Sequence, residues 1–415
     1  MTNQSVLIIG AVWVEPNSSA AGSRMLQLIE LFLEQNYAIT FATTTQQTNN
    51  AFDLKSMNVD AISIELNSIS FDDFVKELNP TIVVFDRFMM EEQFGWRVAE
   101  NCPNAIRILD TEDLHCLRKV RGESVKKQED FTTDKLLTSD IAKREIAAIL
   151  RCDVSLIIST FEMNLLKSVF KVDESILYFL PFLLDKIDQH QTKKWKSFSK
   201  RNHFVFMGNF FHKPNVDAVI TLKKYIWGAI RKAIPKAEVH IYGAYITEQI
   251  QQLHNQKEGF IVKGYAENAK EVVQNAKVVL APLRFGAGIK GKLTEAMLCG
   301  TPSVTTTIGA EGMHDNFPWN GFVEDDFSLL SKKAIALYSD KNLWNQSQKK
   351  GILIINKIYD KEKIGTQFIN RLASLQKEII QHRIQNFMGS LVQHQTLQST
   401  KYMSKWIAAK NKLQC

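Results

Sequence analysis

The 415 residues are 45% hydrophobic and 23% charged, with a formal net charge of +7, enough apolar material for two cores of ordinary size. No run is long enough to span a bilayer; the longest early one, VLIIGAVWV at 6 to 14, follows MTNQS, which lacks the basic residues of a signal peptide, so a cytoplasmic protein is expected. Cys102, Cys116, Cys152, Cys299 and Cys415 are odd in number, scattered and never in a C-x-x-C pair, so neither a disulfide framework nor a zinc site is implied and they read as packing residues.

In chain order, short apolar strands alternate with helical stretches, the pattern of parallel sheets covered on both faces. VLIIGA, AITFAT, AISIEL, TIVVFD, AIRILD and VSLIIS supply a first sheet. After the first strand, SSAAGSRM opens an amphipathic helix at Gly22, for which Ser18 or Ser19 can serve as cap. After AIRILD comes DTEDLHCLR, predicted as a loop, in which Asp110, Glu112, Asp113, His115 and Arg118 crowd at a strand end. Such crowding favours a ligand site, with His115 orienting a ligand; a histidine bound to a neighbouring carboxylate for structure alone is the competing reading. A polar, lysine-rich stretch, 185 to 202, is read as the linker. HFVFMG, AEVHIYG, FIVKGY, KVVLAPL and SVTTT then supply a second sheet. The boundaries expected are 1–190 for the first domain, 191–365 for the second and 366–415 for a helical tail. Ligands of open α/β sheets bind outside the carboxyl ends of the strands, so two such domains facing one another imply a cleft there.

The stretch from Arg284 to Met313 is the most specific in the chain. KVVLAPL leads into a turn permitted by Gly286, Gly288 and Gly291, then into the helix former KLTEAML, stopped by Gly300 and Pro302. Unpaired amides and the positive dipole end at that helix start attract anions, and Lys290 and Lys292 add two full charges. A nucleotide diphosphate is the expected ligand. The glycines satisfy G-x-G-x-x-G, with Glu311 at about the distance of an acidic ribose ligand, so an NAD-dependent oxidoreductase is one reading. Against it, several strands precede the turn and lysines are unusual inside it. A P-loop fails on chemistry, because Leu293 stands where a magnesium-binding Ser or Thr is required.

The whole run GAGIKGKLTEAMLCGTPSVTTTIGAEGM resembles the donor-site signature of family 4 glycosyltransferases (glycosyl transferases group 1) of the GT-B fold. The likeness extends to FVFMGNFFHKPNVDAVI at 204 to 220, to REIAAILRCDVSLIISTFEMNLL at 144 to 166 and to LDTEDLHCLR, and covers most of residues 1 to 378. It implies two Rossmann-like α/β domains facing across a cleft, an acceptor-side domain followed by a donor-binding one, and transfer of a sugar from a nucleotide diphosphate sugar to an acceptor hydroxyl, on a polysaccharide, a lipid-linked glycan or another glycoconjugate, with retention. The resemblance assigns the ribose hydroxyls to Glu295 and brings the Gly22 loop close to donor phosphate and acceptor. Lys213, in GNFFHKPN, can reach the diphosphate from the opposite loop; Glu311 follows a strand end and belongs with the cleft. Many relatives carry two glutamates separated by seven residues. Here the second is Glu295 and the first position is Ala287, which leaves the donor sugar open. Lys290 and Lys292 are expected to stabilise the charge that grows on the leaving diphosphate, without a metal or other cofactor. The departing phosphate oxygen taking the acceptor proton rests on the resemblance. A non-catalytic nucleotide-sugar scaffold or sensor is the alternative that the Ala287 departure keeps open.

From Ile379 to Cys415 there is no acidic residue, while Arg383, Lys401, Lys405, Lys410 and Lys412 contribute +5 of the net +7. STKYMSKWIAAKNK reads as a helix with Tyr402, Met403, Trp406 and Ile407 beside lysines. Residues 395–413 therefore suit an anionic membrane surface, which implies peripheral attachment at its inner face; a helix packed across the domain junction is the competing reading. Basic residues confined to this tail and a short run at 118 to 127 argue against nucleic acid.

Overall fold

The computed structural model describes residues 4–394 and 397–412 and is built on two parallel sheets. The first holds β1 (Ser5–Gly10), β2 (Ala38–Thr43), β3 (Asp60–Ser63), β4 (Ile82–Asp86), β5 (Ile106–Asp110), β6 (Val154–Ile157) and β7 (Leu177–Phe179), in the order β3-β2-β1-β4-β5-β6-β7. The second holds β8 (Asn202–Met207), β9 (Val239–Tyr242), β10 (Phe260–Gly264), β11 (Ala276–Ala281), β12 (Ser303–Thr305) and β13 (Gly321–Val323), in the order β10-β9-β8-β11-β12-β13. Central strands such as VLIIG and IVVFD are apolar throughout because helices cover both of their faces, and four buried clusters fill those layers. Each sheet reverses its strand order once, at β1/β4 and at β8/β11. There the following loops part to opposite faces and leave a crevice.

Helix α1 (Ala20–Glu34) follows β1 and is capped by Ser19, whose Oγ accepts from the Gly22 amide at 3.0 Å. Residues 111–114 after β5 are a short connection, and α2 (His115–Lys127) begins where the sequence reads as loop. Helices α3 (Asp140–Arg151) and α4 (Thr160–Ser168) flank β6, and α5 (Lys213–Thr221) follows β8. Helix α6 (Gly291–Leu298) follows β11 and stops at Gly300, whose φ of +61° is available at little cost only to glycine. Helix α7 (Lys341–Ile358) packs on the second sheet through Ile354 and Ile355.

The chain then returns. Helix α8 (Lys361–Gln385) buries Phe368, Leu372 and Leu375 in the cluster that contains Val6 and Ile8 of the first sheet. The outgoing and returning segments lie side by side: Leu184 donates to Tyr359 O at 2.8 Å, and Lys361 donates to Leu184 O at 3.0 Å. Helix α9 (Phe387–His394) continues from α8, and α10 (Leu397–Lys412) is the tail helix. Residues 395, 396 and 413, and the side chains of Lys401, Lys405 and Lys412 on which part of the tail expectation falls, lie outside the described residues, as does Cys415. The return to the first domain is made by α8 rather than by the tail. Cys102, Cys116, Cys152 and Cys299 are buried and free. Among the described residues no helix is long and apolar enough to cross a membrane.

Candidate active site

A cleft of about 1290 Å³ opens between the carboxyl ends of the two sheets. That exceeds the roughly 300 to 1,000 Å³ of a typical small-molecule site. One of its walls is the β11–α6 connection. Gly288 takes φ +62°, a conformation that turns the backbone back on itself, and α6 then starts with Lys290 as its cap residue. Lys290 is buried and its Nζ donates to Gly288 O at 2.7 Å; Lys292 Nζ donates to Asn215 Oδ1 at 2.6 Å and lies 5.2 Å from the centre of the Phe206 ring. Both ammonium groups are thus bonded to neutral oxygens. Burial pushes Lys292 down to about 7 and Lys290 down to about 8, the latter against the opposing pull of Glu311 and Glu162. Glu295, one turn on, lines the same wall; its Oε1 has a Cys299 Sγ donor at 3.6 Å, and burial holds its carboxyl above the usual range.

Two lysines and free amides at a helix start, opposite a second α/β domain, can hold a diphosphate. The profile of the family described as Glycosyl transferases group 1 matches residues 201–340, which contain this whole wall. The chain carries a glycosyl transferases group 1 domain.

No curated protein sequence matches the chain. Solved structures of similar fold include sucrose-phosphate synthase from Thermosynechococcus elongatus, with 15% identity, coverage of 90% of this chain and 99% of that one, and a TM-score of 0.68. They also include Anabaena HepE in complex with UDP and glucose (12% identity, 90% and 100% covered, TM-score 0.63). A third is S. aureus TarM in complex with fondaparinux, α-GlcNAc-glycerol and UDP (11% identity, 89% and 99% covered, TM-score 0.67). The fold is therefore GT-B, and the domain makes the protein a glycosyltransferase by class.

The opposite wall of the cleft comes from the start of α2. Burial pushes Asp113 up, but Arg118 and His115 outweigh it and hold the carboxyl below its usual range. His115 Nε2 lies 3.4 Å from Asp113 Oδ1, Phe88 meets its ring edge-to-face at 5.7 Å, and burial pushes the imidazole down to about 4, so it is neutral at pH 7. Facing it from the donor domain is His212, pushed down to about 3 by burial and by Arg118. His115, Arg118, His212, Asn215, Lys290 and Lys292 all border the cleft. His212 and Asn215 were missed by the sequence, which singled out their neighbour Lys213; what distinguishes them, their position opposite Asp113 and Lys292, depends on the fold. Arg87 and Glu112, from the ends of β4 and β5, also line this side.

Five expected residues are placed differently. Lys213 is exposed on the first turn of α5, outside the cleft, while its neighbours His212, Pro214 and Asn215 line it. Gly22 serves packing: a Cβ there would lie 2.3 Å from the Glu15 backbone, and it is residues 15 to 21 and Ser23, not Gly22, that border the cleft. Asp110 is buried and occupied by Arg24, whose Nε donates to its two oxygens at 2.9 and 3.1 Å and whose Nη1 donates to Leu180 O at 2.7 Å. Glu311 accepts both terminal nitrogens of Arg121, at 2.7 and 2.9 Å, across the domain junction. Gly288 itself faces the first domain, its Cβ position 2.7 Å from Asp113 Cβ, and its amide donates to Glu162 Oε1 at 2.8 Å. Gly286 and Gly291 do border the cleft; Gly286 O accepts from Arg121 Nη1 at 3.0 Å, and Gly291 abuts Ala20.

Proposed function

We propose that the protein transfers a hexosyl residue from a nucleotide diphosphate sugar to the hydroxyl of a glycan, lipid-linked glycan or related acceptor, with retention at the anomeric carbon. The observation that carries this reading is the pair Lys290 and Lys292, held in the cleft on neutral oxygens at the start of α6. In this reading a diphosphate there accepts from both ammonium groups and from the amides of that helix start, and Glu295, which lines the cleft one turn further, takes the ribose hydroxyls. As the bond between sugar and phosphate breaks, charge grows on the leaving diphosphate, and these preorganised donors stabilise it more than the bound donor. The two lysines and the helix dipole supply the positive charge for this step from the protein itself. The acceptor enters beside His115, Arg118 and Arg87, and its proton goes to the departing phosphate oxygen as the new glycosidic bond forms. A neutral His115 hydrogen-bonds a sugar hydroxyl without competing for that proton. HepE and TarM, of similar fold, were solved with UDP, which supports a uridine nucleotide as the first donor to test.

The test is thermal stabilisation by UDP, GDP, dTDP, ADP and NAD, followed by turnover of the sugar nucleotide whose base stabilises most. A tight ligand raises the melting temperature by mass action. Stabilisation by NAD alone would refute the reading, and tight binding with no release of nucleotide across an acceptor panel would make the protein a sensor. Glu295→Gln is expected to weaken nucleotide binding about tenfold with little change in melting temperature.

A further inference from the structure

The end of α8 and the start of α9 expose large apolar side chains on either side of the break at Asn386. Ile380 and Ile384 lie one turn apart on α8, Phe387, Met388 and Leu391 lie within about one turn on α9, and they are 75%, 65%, 69%, 54% and 50% exposed. Five large apolar side chains this close in the chain form a patch, which scattered single ones do not. The opposite side is fixed. Arg383 Nε donates to Asp153 Oδ1 at 2.7 Å and its Nη2 to Ala105 O at 2.7 Å; the buried His382 Nε2 lies 2.7 Å from Asp153 O. Asn386 Nδ2 donates to Leu150 O at 2.9 Å, and a Cβ on Gly389 would lie 2.2 Å from that same oxygen. Helices held this way cannot roll to bury the patch, so its exposure belongs to the folded chain. In the tail helix α10, Met403, Trp406 and Ile407 are likewise exposed, with Lys410 Nζ 5.3 Å from the Trp406 ring centre.

Charge selects the occupant. From Ile379 to Cys415 the chain holds five Lys and Arg and no Asp or Glu, whereas the rest of the protein carries a net charge of only +2. Two copies meeting through this segment would bring like charges together, and a neutral apolar partner would leave them uncompensated. Arg383 is already paired with Asp153, so the free positive charge is that of the lysines at 401, 405, 410 and 412 that follow the apolar row in sequence, and an apolar row followed by a cluster of cations matches the interface of a bilayer with anionic headgroups. The geometry points to a membrane-docking face formed by residues 380–391 and continued by α10, which binds anionic phospholipid and sets the protein on the membrane through its first domain. This docking does not depend on the sugar-transfer reading.

The test is flotation of the full chain with vesicles of phosphatidylcholine alone or mixed with phosphatidylglycerol, at low and high salt. Binding to the mixed vesicles, weakened by salt and absent on phosphatidylcholine alone, is the expected result. Ile384→Glu with Phe387→Glu is expected to weaken it at least about tenfold, since each removes an apolar side chain from the interface and adds a repelled charge. Melting temperature and nucleotide affinity in vesicle-free solution should stay unchanged, which separates failure of the docking face from failure of the donor site. If the double variant misfolds, the single Ile384→Ser, at an exposed position, answers the same question with a smaller loss. No flotation, salt-insensitive binding to neutral vesicles, or variants that float like the parent would each overturn the proposal. So would a concentration-dependent dimer that the variants abolish without vesicle binding, which would make the patch a contact between two copies.

Discussion

An ammonium group held against an amide oxygen and a phenyl ring is poorly solvated, and Lys292 keeps its place at that cost. Lys292→Ala is expected to lower sugar transfer by about 30-fold to 1000-fold, the effect of removing roughly 2 to 4 kcal/mol from the transition state. The melting temperature should change little or rise. Activity within about twofold of the parent would remove the lysine from the diphosphate site. Its proton makes a second prediction. With Lys292 at about 7 and Lys290 at about 8, the free protein has shed most of both protons by pH 9. A bound diphosphate favours the charged forms, so binding takes protons up and affinity falls as pH rises above about 7, by about tenfold per unit for each lysine involved. Calorimetry in buffers of different ionisation heat measures this uptake, and Lys292→Met should remove its share; affinity that stays flat between pH 7 and 9 would contradict the assignment. Residues of this kind were legible because glycines and lysines before a helix spell out their chemistry locally. Glu311 was not legible: its partner Arg121 lies 190 residues away, and an acid after a strand end looks like a ligand until that partner is seen. Asp110 and Arg24 repeat the lesson.

Among the elements, the longer strands were readable from apolar runs, and the three-residue β12 was found because the Gly300 and Pro302 helix stop announces it, whereas β7 and β13, also of three residues each, have neither a run nor such a stop before them. The start of α2 misled for a different reason. DTEDLH is polar and lacks a side-chain cap of its own, because its free amides are satisfied from elsewhere: Glu145 of α3 accepts from His115 N at 2.9 Å and Cys116 N at 2.7 Å, and Glu162 of α4 accepts from Leu114 N at 3.0 Å. Glu162 accepts the Gly288 amide with the same oxygen, so one carboxyl group joins the start of α2 to the donor loop. Burial pushes it up to about 8. Gly288→Ala tests that junction. The positive φ costs about 1 kcal/mol, and the added methyl sits too close to Asp113. Transfer is expected to fall about tenfold or more through misplacement of the loop, with the fold retained by circular dichroism. Unaltered kinetics would show that the contact is not needed for catalysis.

For the molecule as a whole, the first domain is completed by the end of the chain. Phe368, Leu372 and Leu375 of α8 fill the layer beneath β1, so a truncation near 360 exposes that core although it removes no strand. Phe368→Ala is expected to destabilise the first domain by about 3 to 5 kcal/mol, seen as an earlier transition in urea that nucleotide does not shift, while the donor domain melts as before. A single transition that nucleotide shifts as a unit would show that the two domains unfold together. The resemblance reached this architecture because its motif lies in one contiguous stretch; the route of α8 across to the first sheet leaves only an amphipathic pattern in the sequence, which does not say which sheet it covers.

The paired crossing at Leu184 and Tyr359 constrains how the cleft can open. A single connecting strand would let one domain spin and slide against the other. Two strands bonded to each other resist twisting and leave bending about the line between them as the easy motion. Any opening that bends about this line moves the walls that carry Lys292 and His115 apart along one arc, like covers on a spine, rather than sliding them past each other.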